Sequence, residues 1–305
     1  MADASGASIL AKKKQGARLF EERLSDVTGQ VERRLDDVFG AMPAGPVTEA
    51  MAHACRGGKR IRALLVMESA HLHGIPDDVS VGAAAAVEAA HAYSLVHDDL
   101  PAMDDDDMRR GQPTVHVKWD EATAVLAGDG LQALAFELLA GLQVDAGVRV
   151  GLIGGLARAA GAAGMVRGQA MDIAAESARP AYGQKLVEET QALKTGALIE
   201  WAACTGPVMA AADPAPMAAY AAALGRAFQI ADDILDVEGD AETAGKRVGK
   251  DAAAGKATFV SLMGLAGARQ LAKVKIAEAC VMLKPYGDAA ECLREAARFV
   301  IARQS

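Results

Sequence analysis

Six aspartates and two arginines fall within fourteen consecutive positions, Asp98 to Gly111, in the stretch SLVHDDLPAMDDDDMRRGQPT. So many carboxylates beside an arginine pair have two physical readings. One is a solvated acidic loop. The other is a site where hard divalent cations and a phosphorylated substrate share the carboxylates. A second cluster, FQIADDILDVEGD, sets Asp232, Asp233 and Asp236 at i, i+1 and i+4, with Gln229 three residues before the first. At ~100° per residue these four side chains form one polar stripe, flanked by Phe228, Ile230, Ile234 and Leu235. Three carboxylates on a core-like helix call for cationic compensation. Oxygen-only ligands select Mg2+, with Mn2+ as a substitute, and Mg2+ normally completes its shell with water and substrate phosphate.

A phosphate partner should leave cationic traces. GGKRIRALL places Lys59 and Arg62 one turn apart at a helix start, where free N–H groups and the dipole also favour anions. Arg109 and Arg110 follow the first cluster, and the guanidinium fork suits diphosphate oxygens. Lys194 interrupts the apolar segment QALKTGALIEWAA, and Lys246 and Lys256 follow the second cluster. Each is ordinary alone, as a solvated loop charge or a snorkelling lysine. Their conjunction with two spaced acidic motifs favours the phosphate site.

The elements must bring these residues together. Asp98 and Asp104 are six apart, so on one straight helix they would diverge by ~120°. Pro101 should end the helix and let a loop carry Asp104 back. His91 and Ser94, at i-7 and i-4, share the helical face of Asp98. The composition is 51% apolar and 24% charged with only 4% aromatic residues, and Ala and Leu dominate, which favours helices over strands. Helices are expected near 17–40, 46–55, 58–73, 79–100, 116–142, 147–161, 164–175, 182–204, 214–237, 256–284 and 288–303. No alternating strands, repeats or linkers interrupt them, so the fold class is all-α, in one domain over residues 1–305.

Net charge of -8 argues against a nucleic-acid partner. The four cysteines form no C-x-x-C pair, so neither zinc nor a disulfide framework is indicated. No signal peptide is legible, and no run of ~18 apolar residues predicts a membrane span. The cytoplasm is the expected location.

At this point the residues resemble the trans-isoprenyl diphosphate synthases, the short-chain polyprenyl synthetases. GGKRIRALL, HAYSLVHDDLPAMDDDDMRRGQPT, GQAMD, KTGALI and FQIADDILD are similar to that family's motif series, in its order, from about residue 20 onward. Four residues separate Asp99 from Asp104, as in the bacterial form. The resemblance implies an isoprenoid-synthase fold, a helical bundle around a deep central cavity, working as a homodimer. Carried over by position, Asp98, Asp99, Asp104, Asp232, Asp233 and Asp236 would hold or support three Mg2+ ions that grip an allylic diphosphate. Arg109, Lys194, Lys246 and Lys256 would contact that diphosphate. Lys59, Arg62, His91 and Arg110 would bind isopentenyl diphosphate. Thr195 and Gln229 would face the reacting carbon.

The implied reaction ionises an allylic C–O bond, and the double bond of isopentenyl diphosphate attacks the cation. Tyr93, with Ser94, occupies the position that sets chain length, and an aromatic there resembles the members that stop at the fifteen-carbon farnesyl product. A geranylgeranyl-forming synthase is the alternative. A class I terpene cyclase would not need Lys59, Arg62 and His91, and a non-catalytic subunit would not need both acidic motifs complete. Asp106 and Asp107 are expected to be solvated, and Phe259-Val260 departs from a common Tyr-Pro pair.

Overall fold

The computed structural model describes residues 3–177, 183–238 and 258–302, with side chains over 16–175, 183–238 and 258–302. The helices are α1 (Asp3–Ala41), α2 (Pro46–Ala54), α3 (Ile61–Leu72), α4 (Asp77–Asp98), α5 (Val115–Lys118), α6 (Glu121–Ala140), α7 (Ala146–Ala160), α8 (Met165–Ser177) and α9 (Gln184–Gln191). A π-helical turn, Ala192–Gly196, joins α9 to α10 (Ala197–Met209), and α11 (Ala215–Glu238), α12 (Phe259–Met282) and α13 (Glu291–Ala302) complete the series. The class is all-α, as expected.

Helix α4 is the axis of the bundle. Gly82 through Ala90 are all buried, and most of these side chains are a single methyl. A helix apolar on every side belongs in a core, and small residues let its neighbours approach closely. Helices α3 and α6 pack on α4, α10 packs on α3, and α12 packs on α11. By length and composition α4 and α6 could each cross a membrane, but 72% and 50% of their apolar windows are buried inside the protein. They serve as core helices.

The expected elements recur with informative shifts. The 116–142 helix is broken at Trp119-Asp120, where the Asp120 carboxylate accepts the Thr123 N–H at 2.7 Å and starts α6 afresh. The 182–204 helix divides at the π turn and then runs on through Pro207. Proline cannot donate to the carbonyl four residues back. Ser69 of α3 makes good that loss by donating to the Ala203 carbonyl, and so ties α3 to α10.

Candidate functional site

Between α4 and α5 the chain forms a small antiparallel hairpin that the sequence did not announce. Met108–Arg109 (β1) pairs with Gln112–Pro113 (β2) across a two-residue turn, Arg110-Gly111. Both turn residues have positive φ, 53° and 72°, as a twist-matched tight hairpin requires. Adjacent arginines are thereby aimed at different neighbours. Arg109 donates from Nε to Asp99 Oδ1 at 2.6 Å and from Nη2 to Asp106 Oδ2 at 3.3 Å. Arg110 donates to the carbonyls of Arg56 and Gly57.

The loop after α4 returns as its proline predicts. The Asp104 N–H donates to the Asp98 carbonyl at 2.8 Å, and the Asp106 N–H to that of Asp99 at 3.2 Å. Asp106 is buried rather than solvated, because the Arg109 fork draws its carboxylate inward; Asp107 is exposed as expected. Asp98 has its carboxyl pushed up to about 6, chiefly by burial and next by Asp104 and Asp99, while Lys194 and Arg109 pull it back. Burial also raises the Asp99 carboxyl, against the Arg109 guanidinium.

Lys194 comes from the π turn, which rotates the helix face locally; such single turns frequently mark functional sites. Its ammonium lies 2.6 Å from Asp172 on α8 and acts electrostatically on Asp98 of α4. The turn sits so close to α8 that a Cβ on Gly168 would lie 2.2 Å from the Lys194 backbone nitrogen. The next residue, Thr195, donates its hydroxyl to Gln229 Oε1 on α11 at 3.2 Å. Gln229 Nε2 donates to Asp233 Oδ1 at 3.2 Å, and the Phe259 N–H at the start of α12 donates to Asp233 Oδ2 at 2.8 Å. One turn therefore serves both acidic clusters, hydrogen-bonded to the helix of the second and acting electrostatically on Asp98 of the first. Asp232 and Asp236 are half-buried on the same helix.

Arg62, Arg110, Arg109 and Arg60 all act on His91, and burial above all holds its imidazole well below the usual range, hence neutral. Lys59 lies exposed on the preceding loop. Gly58 there has φ 86°, and a Cβ on it would meet the Arg110 Cζ at 2.8 Å, so the glycine admits the guanidinium. Helix α3 begins at Ile61, later than the sequence predicts, and Glu88 of α4 accepts its Ala63 N–H at 3.0 Å. That carboxylate occupies part of the helix start expected to serve an anion. Arg60, left-handed at φ 48° and buried, pairs with Glu88 at 3.2 Å. It braces the junction between the loop that carries Lys59 and the helix that carries Arg62.

Tyr93 is buried and donates its hydroxyl to the Ala160 carbonyl of α7 at 3.2 Å, with its ring edge-on to His97. The Ser94 hydroxyl donates back to the His91 carbonyl. Lys246 and Lys256 lie outside the described residues. Asp172 was missed as an individual site residue, because nothing in the sequence ties it to a lysine 22 positions later; GQAMD was the one signal. Among the described residues a narrow crevice lies behind the hairpin along Asp99, Arg109 and Arg110, and a wider one opens between α7 and α10. Neither is lined by Asp98 or Asp232.

The donors fit a hard cation. They are carboxylate oxygens, and in Asp98 burial disfavours the charged form that a cation would restore. Among the described residues no three acidic, His or Cys groups close on one point to hold an ion unaided. Mg2+ does not demand such a cage, since it keeps waters and takes phosphate oxygens.

Residues 45–294 match the family model for polyprenyl synthetases. The chain is 44% identical over 280 residues to the farnesyl diphosphate synthase of Escherichia coli, covering 88% of this chain and 93% of that protein. Its structure resembles an FPP/GFPP synthase from Zymomonas mobilis with a TM-score of 0.85 at 38% identity, over 93% of this chain and 99% of that one. It also resembles a geranyltransferase from Helicobacter pylori solved with magnesium and isoprenyl diphosphate, with a TM-score of 0.78 at 30% identity, over 92% and 96% of the two chains.

Proposed function

The chain belongs to the polyprenyl synthetase family, and on that premise we propose how its residues carry out prenyl transfer. It is a prenyltransferase that makes farnesyl diphosphate, by head-to-tail condensation of isopentenyl diphosphate with dimethylallyl and geranyl diphosphates. The enzymes of this family depend on Mg2+. Lys194 is the observation that carries the site assignment: one ammonium reaches Asp172 and acts on Asp98, from a turn hydrogen-bonded to the helix of the second acidic cluster.

Asp98, Asp104, Asp232 and Asp236 would hold the metal ions, three Mg2+ or Mn2+ in their place. Asp99 and Asp233 support them, since their carboxylates already take Arg109 and the start of α12. The ions supply positive charge to a diphosphate leaving its carbon. Arg109, Lys194, Lys246 and Lys256 bind that allylic diphosphate, as preorganised charge that need not reorient when the bond breaks. Thr195 has its hydroxyl hydrogen committed to Gln229, which leaves its oxygen lone pairs to stabilise the developing allylic cation. Lys59, Arg62, Arg110 and neutral His91 bind the diphosphate of isopentenyl diphosphate and aim its double bond at the cation. The proton lost afterwards passes to the released diphosphate.

Incubation with geranyl diphosphate and Mg2+, with and without isopentenyl diphosphate, tests this reading. The expected product is farnesyl diphosphate, formed only with both substrates. Hydrocarbon released without isopentenyl diphosphate would reassign the protein as a cyclase.

Tyr93 stands five residues below Asp98, ~7.5 Å along the helix, its hydroxyl tied to the Ala160 carbonyl at the end of α7, and on the family resemblance its ring is the stop for the growing chain. Tyr93→Ala is expected to yield twenty-carbon and longer products. An unchanged product length would remove Tyr93 as the stop.

The whole chain acts as one domain, with α1 packed on α3, α4 and α13. Its partner is a second copy. Val125 and Leu126 of α6 are 43% and 53% exposed, with Val117 of α5 nearby in sequence, and an apolar helix face in water is costly unless covered. Sedimentation should give a dimer that Val125→Glu/Leu126→Glu converts to monomer. A double variant that remains dimeric would move the interface elsewhere.

A further inference from the structure

The hairpin that carries Arg109 and Arg110 is separated from α4 by a narrow crevice lined by Ala92, Leu95, Val96, Gln112 and Pro113. Its position must then depend on point ties. At its base the Thr114 N–H donates to the Asp107 carbonyl at 2.9 Å. On its outer strand the tie comes from His53, a nearly buried residue of α2 that the reaction does not otherwise use.

Its two ring nitrogens have partners that fix the tautomer. Nε2 lies 2.9 Å from the Pro113 carbonyl, which can only accept, so Nε2 carries the hydrogen. Nδ1 lies 3.2 Å from the Lys118 ammonium, which can only donate, so Nδ1 is the acceptor. The ring is neutral in this arrangement, and burial with Lys118 and Arg56 lowers its pKa in the same sense. Trp119 packs edge-on at 5.3 Å, and Lys118 sits 4.6 Å above the Trp119 ring, so donor and aromatic wall are held by one another. Pro113 pairs with Met108 and Gln112 with Arg109. A displacement at Pro113 is therefore transmitted directly to the arginine turn.

We propose that His53 is a positioning residue for prenyl transfer, a neutral imidazole of fixed tautomer that anchors the hairpin through Pro113 and so sets where Arg109 and Arg110 meet the two diphosphates. The inference rests on the roles assigned to those arginines above. Its physical content is that a single hydrogen bond, remote from the substrates, is read out as binding of both.

Steady-state kinetics with both substrates varied tests it. His53→Phe keeps the ring and its packing on Trp119 but removes both hydrogen bonds. The KM values for isopentenyl and geranyl diphosphates are expected to rise about tenfold, as one hydrogen bond is worth, with kcat at saturation within about twofold. His53→Gln restores a donor toward Pro113 and should recover most of the loss. Lys118→Met, which leaves His53 in place but frees its tautomer, should give a smaller rise in the same two constants, and it keeps the test alive should His53→Phe fail to fold. Arg110→Ala run in parallel separates a failure of the His53 tie from a failure of the arginine's own role. If Arg110→Ala raises the isopentenyl KM while His53→Phe does not, or if His53→Gln is no better than His53→Phe, the His53 role is overturned and the site assignment stands. If Arg110→Ala leaves that KM unchanged, the site assignment falls and the inference falls with it.

Discussion

Asp98→Asn should reduce kcat by about a thousandfold or more, and it should at the same time make the metal-free protein more stable. The first effect follows from charge. A carboxylate that holds a divalent cation against a leaving diphosphate contributes several kcal/mol to the transition state, and about 4 kcal/mol is a factor of a thousand. The amide keeps the shape and loses the charge. The second effect follows from the raised carboxyl, which sits at about 6 in the folded protein against 3.8 for an unperturbed aspartate. Between those values the folded state binds more protons than the unfolded one, so stability from this group is present below pH 4 and is lost as pH rises through 6. Above that the ionised Asp98 costs of order 2 kcal/mol, which Asn does not incur. Thermal melts of both proteins in a chelating buffer at pH 4.5 and 7.5 check it. The variant should gain mainly at the higher pH, and equal melting temperatures there would show that Asp98 is not under the electrostatic load its burial implies.

Lys194→Gln is expected to cost about a hundred- to a thousandfold in kcat, the scale for one preorganised charged donor at a leaving group. The loss has two parts. In the proposed site the allylic diphosphate forfeits one ammonium, Asp172 loses its ion-pair partner and Asp98 loses a cation that lowers its carboxyl. The ion pair predicts a non-additive cycle: Asp172→Asn alone should be milder, and Lys194→Gln/Asp172→Asn should be no worse than Lys194→Gln. Single-turnover rates of geranyl transfer at saturating Mg2+ provide the numbers. Losses that simply multiply would mean that Asp172 acts on the substrate by itself rather than by aiming the lysine.

The sequence was most legible where a rule is local. Helix periodicity, Pro101 as a terminator and the i, i+1, i+4 stripe of Asp232, Asp233 and Asp236 are set by neighbours within a few residues, and the structure carries each of them. The same local rules failed where two elements had to touch. Asp106 reads as a solvated loop aspartate like Asp107, yet Arg109 buries it. Arg60 sits between two residues assigned to a diphosphate and is instead a buried brace for Glu88. The break at Lys194 is invisible in helix propensity, because a π turn costs little locally and is stabilised by contacts with α8 and α11.

By itself, then, the sequence determined the helical class, the identity of the carboxylates and cations, and the family to which their order belongs. Only the tertiary structure decided which of those charges face a substrate and which hold the protein together, because residue type and spacing specify what a side chain can donate or accept, whereas its partner is chosen by segments tens of residues away that pack beside it.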